Sequence, residues 1–171
     1  MFKLMNRIRK KGKGFTLVEL LVVVAIIAIL AAVLMPKLLG YTERARQARA
    51  LADLGSMKTI VEVYAADQGN GLYPDNTNVG TVMQNNGIAW TGDAKGVKDP
   101  WGNAYYYDRT IDANNVTHYI IVSPGLDGKI GTADDVVTTD SLQPSIGAAD
   151  TTAFPELSGT TPTAAASYKA Q

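Results

Sequence analysis

KGKGFTLVELLVVVAIIAILAAVLMP, residues 11–36, places a carboxylate, Glu19, near the head of an otherwise unbroken apolar run. From Leu20 to Met35 every residue is aliphatic or Met. Counted from Phe15, the segment spans about 31 Å as a helix at ~1.5 Å per residue, enough to cross a hydrocarbon core of ~30 Å. An acidic side chain at the bilayer centre costs roughly 2.5–3.5 kcal/mol on insertion scales. Whatever offsets that cost reveals what the segment is for.

Charge gives the segment a direction. Lys3, Arg7, Arg9, Lys10, Lys11 and Lys13 precede it with no acid among them, although the whole chain is neutral. Basic residues stay on the cytoplasmic side, so residues 1–14 face the cytoplasm and the rest faces out. From Phe15 onward acids outnumber bases, so once the head is removed the chain is acidic, which argues against nucleic acid as a direct partner, since phosphate binding needs a basic face. A secretory signal cleaved after the apolar run is disfavoured, because Met35-Pro36 and a long helical pattern follow without a turn.

Lys11-Gly12-Lys13-Gly14 followed by Phe15-Thr16-Leu17-Val18-Glu19 resembles the class III signal of type IV pilins and type II secretion pseudopilins. The resemblance implies that a prepilin peptidase/methyltransferase cuts between Gly14 and Phe15 and methylates Phe15. The leader then leaves and the apolar helix stays. Glu19 would become the fifth residue, one turn from a terminal amine that is mostly cationic at neutral pH. On docking in the bilayer, the amine of one subunit would meet Glu19 of another. Breaking such a buried pair costs about 3–5 kcal/mol, so the carboxylate becomes both an assembly force and an axial ruler. The alternative is a Glu19 that snorkels within a single chain.

Pro36 removes a helical N–H and, with Gly40, predicts a bend. Beyond it, Leu51, Leu54, Met57 or Lys58, Val61 and Tyr64 form one apolar stripe at helical spacing. Glu43 with Arg46, and Arg49 with Asp53, sit at neighbour distances largely off that stripe. Gly69-Asn70-Gly71 and Pro74 end the helix.

Residues 70–100 read as a long Gly/Asn/Asp-rich loop. Three strand-like runs follow: Ala104–Asp108, Thr117–Val122 and Val136–Thr139, the first two joined by a polar hairpin region, Arg109–Val116. The expected fold is α+β. Its long N-terminal stem helix, transmembrane in the first half, packs on an antiparallel sheet of about three strands. The expected divisions are a leader at 1–14, a membrane and filament-core helix at 15–36, a globular part at 37–140 and an Ala/Thr/Ser/Pro-rich extension at 141–171. That extension reads as a surface tail or disorder.

Asp99-Pro100-Trp101-Gly102-Asn103 before Tyr105-Tyr106-Tyr107 resembles the segment that begins the sheet in the major pseudopilin, with Trp101 packed on the helix. The loop Ser123–Asp135 carries three carboxylates in a Gly-rich turn, a hard-oxygen set that suits Ca²⁺, though the EF-hand pattern is absent. It resembles the calcium loop of the major pseudopilin. That resemblance implies side-chain ligands at Asp127, Asp134 and Asp135 and a carbonyl ligand at Pro124, where the family usually has Leu.

With no Cys, one histidine (His118, read as a core or strand residue) and no phosphate-cradling loop, no enzymatic signal is present. The resemblance implies a homopolymeric filament subunit of a type II secretion system, working with minor pseudopilins and an inner-membrane assembly platform. It would be single-pass in the inner membrane, its globular part in the periplasm. The alternative is the major pilin of a type IV pilus.

Overall fold

The computed structural model describes residues 14–90, 97–154 and 157. The basic leader up to Lys13 and the end of the extension from Ser158 lie outside them. Two compact units divide at Thr42–Glu43.

Helix α1, Leu17–Asp67, contributes to both units and is helical through Pro36. In the first unit its apolar side chains are exposed from Leu17 to Tyr41, and its apolar window is long enough to cross a membrane with none of it buried. Such a surface needs lipid or other copies of itself to cover it.

In the second unit α1 turns Ala50, Leu54, Met57, Lys58, Val61 and Ala65 inward. This is the expected stripe, rotated slightly, with Leu51 and Tyr64 half-buried on its flanks. The helix ends where expected, as Gly69 and Gly71 N–H groups reach back to the carbonyls of Tyr64 and Ala65. Asn70 and Gly71 have φ of 50° and 85°, a left-handed exit that Asn and Gly tolerate best.

The segment read as loop contains a second helix, α2, Val79–Asn85. Asp75 starts it by accepting from the Thr77 and Asn78 N–H groups, and Val79, Val82 and Met83 bury one face. These three residues have helical spacing, but surrounding Gly and Asn residues mask the signal.

The sheet has four strands rather than three: β1 Tyr106–Ile111, β2 Thr117–Ser123, β3 Val136–Thr139 and β4 Ser145–Ile146. All neighbours are antiparallel, in the order β1-β2-β3-β4. β1 starts two residues later than expected because Ala104 is bridged to Lys98 around the Asp99 turn. β4 is only two residues long, too short for alternation to reveal.

Alternation along β2 splits the core. Tyr119 and Ile121 face α1 and α2 with Tyr107, Val136 and Met83, while Ile120 and Val122 face the opposite way. There Val137, Ala149, Phe154 and Leu157 cover them. The composition of residues 141–171 suggested a tail, yet the stretch up to Phe154, with Leu157, is part of this second core layer. Three apolar side chains suffice because each is placed against the sheet.

Lys58 resolves the ambiguity in the stripe. Its side chain is only 6% exposed, and its Nζ pairs with Glu62 at 2.9 Å and donates to the carbonyls of Thr139 (2.5 Å) and Asp140 (3.3 Å). The ammonium also lies 5.6 Å from the centroid of the Tyr119 ring. A buried cation is thereby satisfied at the end of β3.

Candidate functional site: the helix head and the acidic loop

At the helix head Phe15 is exposed, and Thr16 and Glu19 satisfy each other. The Thr16 N–H and hydroxyl each donate to Glu19 Oε2 at 2.8 Å, and the Glu19 N–H donates to Thr16 Oγ1 at 3.2 Å. This is a reciprocal capping box, with Thr at the cap and Glu three residues on, which satisfies donors that the first turn otherwise orphans. The sequence contained this signal in Thr16-Leu17-Val18-Glu19. Within one chain, therefore, Glu19 closes its own helix end.

The acidic loop leaves the buried end of β2 at Ser123 and Pro124. Gly125 follows at φ 64°, and a side chain there would run into the carbonyl of Asp134, so glycine is required for the loop to close on itself. Asp127 Oδ1 accepts from the Lys129 N–H at 2.8 Å, and Asp134 Oδ2 accepts from the Asp127 N–H at 3.0 Å. Asp135 is fully buried, and its Oδ2 accepts from the N–H groups of Gly131 (2.7 Å), Thr132 (3.1 Å) and Ala149 (3.1 Å).

The three aspartates meet at Thr132. Its Oγ1 lies 2.7 Å from Asp134 Oδ1, 3.3 Å from Asp127 Oδ1, 3.4 Å from Asp135 Oδ1 and 3.2 Å from the Lys129 carbonyl. One hydroxyl proton can serve only one of these four acceptors well. As they stand, no three His, Cys, Asp or Glu side chains among the described residues form a ready-made metal cage. The chemistry of the donor set nevertheless fits a hard cation: four oxygens, three of them anionic, share one small volume. Pro124 is buried at the loop entrance, directly before Gly125.

Charge placement agrees with crowding. Burial pushes the Asp135 carboxyl above the usual range, against the pull of its three N–H donors, with Asp134 adding repulsion. For Asp134 burial also pushes upward, but the Thr132 hydroxyl and backbone N–H groups outweigh it and leave the group lowered.

The Asp99–Asn103 turn braces the loop. Asp99, buried, accepts from the N–H groups of Trp101 and Asn103 and from the Ser123 hydroxyl at 2.7 Å. Asn103 Nδ2 donates to the Gly125 carbonyl at 2.6 Å. Trp101 packs against the helical side as expected, its indole N–H donating to Glu43 at 3.0 Å. The paired charges of α1 are present too, with Arg46 3.9 Å from Glu43 and Arg49 3.8 Å from Asp53. Both carboxylates also serve aromatic donors, since Tyr105 donates to Asp53 at 2.9 Å.

Two successive stretches of the chain match two family models. The prokaryotic N-terminal methylation motif matches residues 9–35, and type II secretion system protein G matches residues 37–139. The chain belongs to the type II secretion system protein G family. Type II secretion system core protein G of Vibrio cholerae is 34% identical over 141 residues, covering 77% of this chain and 94% of the relative. The protein of that name from Aeromonas hydrophila is 32% identical over 137 residues, covering 75% and 92%. A fimbrial protein of Pseudomonas aeruginosa is 49% identical, but over 53 residues, 31% of this chain and 34% of the relative. No solved structure matches the chain significantly.

The contrast in coverage separates the two expected readings. A fimbrial relative shares a short stretch, whereas the protein G relatives match most of the chain, and the protein G family model runs through β1, β2, the acidic loop and β3. This chain is accordingly a major pseudopilin, a structural subunit of the type II secretion filament and not an enzyme. Its apolar helix with the methylation motif fits a single-pass membrane anchor.

Sequence reasoning missed Thr132, Asn103 and Ala149. Thr132 is legible in retrospect as the one hydroxyl between Asp127 and Asp134. Asn103 acts through its side-chain amide and Ala149 through its backbone N–H, and both contacts depend on tertiary placement.

Proposed function

We propose that prepilin peptidase cuts this chain between Gly14 and Phe15 and methylates Phe15. The mature subunit is then held in the inner membrane by residues 15–36 with its globular part in the periplasm. Copies leave the bilayer as a helical homopolymer, built on an inner-membrane assembly platform together with minor pseudopilins, and the growing filament moves folded proteins outward. The supporting observation is Glu19, a carboxylate at the start of an exposed apolar helix, whose hydrogen bonds among the described residues are to Thr16. Those neutral donors bring no counter-charge, so a neighbour's amine gains by meeting the carboxylate.

Ca²⁺ is the proposed ligand of the acidic loop, held by Asp127, Asp134, Asp135 and the Pro124 carbonyl. When bound it supplies positive charge that relieves the repulsion among the carboxylates. The residues themselves set the order of the loop: Gly125 permits the close turn, Asn103 and Asp99 fix its base, and Thr132 organises the carboxylate oxygens.

A chelator added to the purified mature chain should lower its melting temperature by several degrees, with Ca²⁺ restoring it. Asp134→Asn should melt early with or without chelator and should impair export in cells. Unchanged melting and unchanged export would contradict the calcium reading.

A further inference from the structure

The match to the protein G family ends at residue 139, yet the fold continues. Ser145–Ile146 pair with Val136–Val137 as β4, and Ala149, Phe154 and Leu157 close the outer face of the sheet. This added stretch also touches the acidic loop. The Gly147 N–H donates to the Asp135 carbonyl at 3.0 Å, and the Ala149 N–H donates to Asp135 Oδ2 at 3.1 Å. Asp135 is thus shared: Gly131 and Thr132 hold it from inside the loop, and residues 147 and 149 hold it from outside.

We propose that residues 145–154 are a clasp that keeps the 125–135 loop ordered without metal, acting through Asp135. A loop stabilised only by a cation falls apart when the cation leaves, because its clustered carboxylates repel. Here the most buried of the three is already neutralised in part by three N–H dipoles, one of them supplied by the clasp. Phe154 seats the clasp in a cluster with Ile120, Val122 and Val137 of the sheet, against which Ile130 of the loop also packs. Backbone donors to a carboxylate are among the stronger hydrogen bonds, and losing one at a buried site loosens what it holds. The clasp therefore makes the loop's order less dependent on Ca²⁺; this last statement rests on the calcium reading above, whereas the clasp itself does not.

Amide hydrogen exchange on the full mature chain in detergent tests it. The reporters are the Gly131 and Thr132 N–H groups, compared with Tyr119 and Ile121 in β2. With chelator present, the parent should protect Gly131 and Thr132. A chain ending at Gln143 should exchange them about tenfold faster or more while β2 stays protected. Ala149→Pro, which removes one donor and keeps the anchor, should speed them in the same sense. This variant decides the matter if the shortened chain also loses β2 protection. Equal protection of Gly131 and Thr132 in Ala149→Pro and parent under chelator would overturn the clasp, as would a parent with no protection there. Calcium restoring protection in Ala149→Pro supports the exchange of roles between clasp and cation. Faster exchange that calcium does not reverse upholds the clasp and counts against the calcium reading.

Discussion

His118 illustrates how a single side chain reads differently in sequence and in space. In sequence it is a lone histidine in a strand; in the fold its Nδ1 lies 3.0 Å from Asp140 and its Nε2 3.7 Å from Asp112. The hydrogen bond to Asp140, and then the charges of both aspartates, raise its pKa above the usual value. A raised folded-state pKa means that the pair stabilises the protein at pH below the unfolded value near ~6.5. That contribution fades as pH rises through the folded value. Melting curves of His118→Gln and parent should therefore differ most near pH 5 to 6 and converge at alkaline pH, by about a few degrees at most because the ring is partly exposed. A difference that stays constant with pH would contradict this pairing. Thr132 and Asn103 belong to the same scale: each is a common polar residue in a loop, and nothing in local pattern says which acceptors will surround it. Glu19 was more legible, since both members of its capping box lie within four residues.

At the scale of elements, the helix and the first three strands follow from periodicity, because long apolar spacing and alternating β-branched or aromatic residues survive without tertiary context. α2 and β4 were not legible. One is a short turn-rich helix whose three apolar side chains depend on α1 and the sheet for cover. The other is a two-residue edge whose pairing is set by β3. Lys58 joins the two kinds of element, carrying a cation from α1 to the carbonyl end of β3. Lys58→Ala should destabilise the fold by about 2–4 kcal/mol, leaving both a cavity and orphaned carbonyls. Lys58→Met, which keeps the volume and discards the charge, should cost clearly less, since apolar replacements of buried ions are often tolerated. Equal losses in chemical denaturation would show that the buried amine, not the filled space, holds helix to sheet.

The whole molecule combines a stem that cannot be satisfied alone with a head that can. The head buries two core layers around its sheet and braces an acidic loop from the Asp99 turn on one side and the clasp on the other. The stem exposes its apolar surface along its length and offers one carboxylate, which only another copy's amine neutralises in the proposed filament. Two roles for Glu19 now compete: capping its own helix, worth about 0.5–2 kcal/mol, and pairing with a neighbour, worth about 3–5 kcal/mol when broken. Substitution separates them, because glutamine completes a capping box as glutamate does but carries no charge. The decisive measurement is filament yield from cells making Glu19→Gln, with Glu19→Ala beside it and subunit levels matched. Charge pairing predicts that both variants are processed at Phe15, remain in the membrane and fail to assemble. Normal filaments from Glu19→Gln, with loss confined to Glu19→Ala, would contradict it and leave Glu19 as a helix cap.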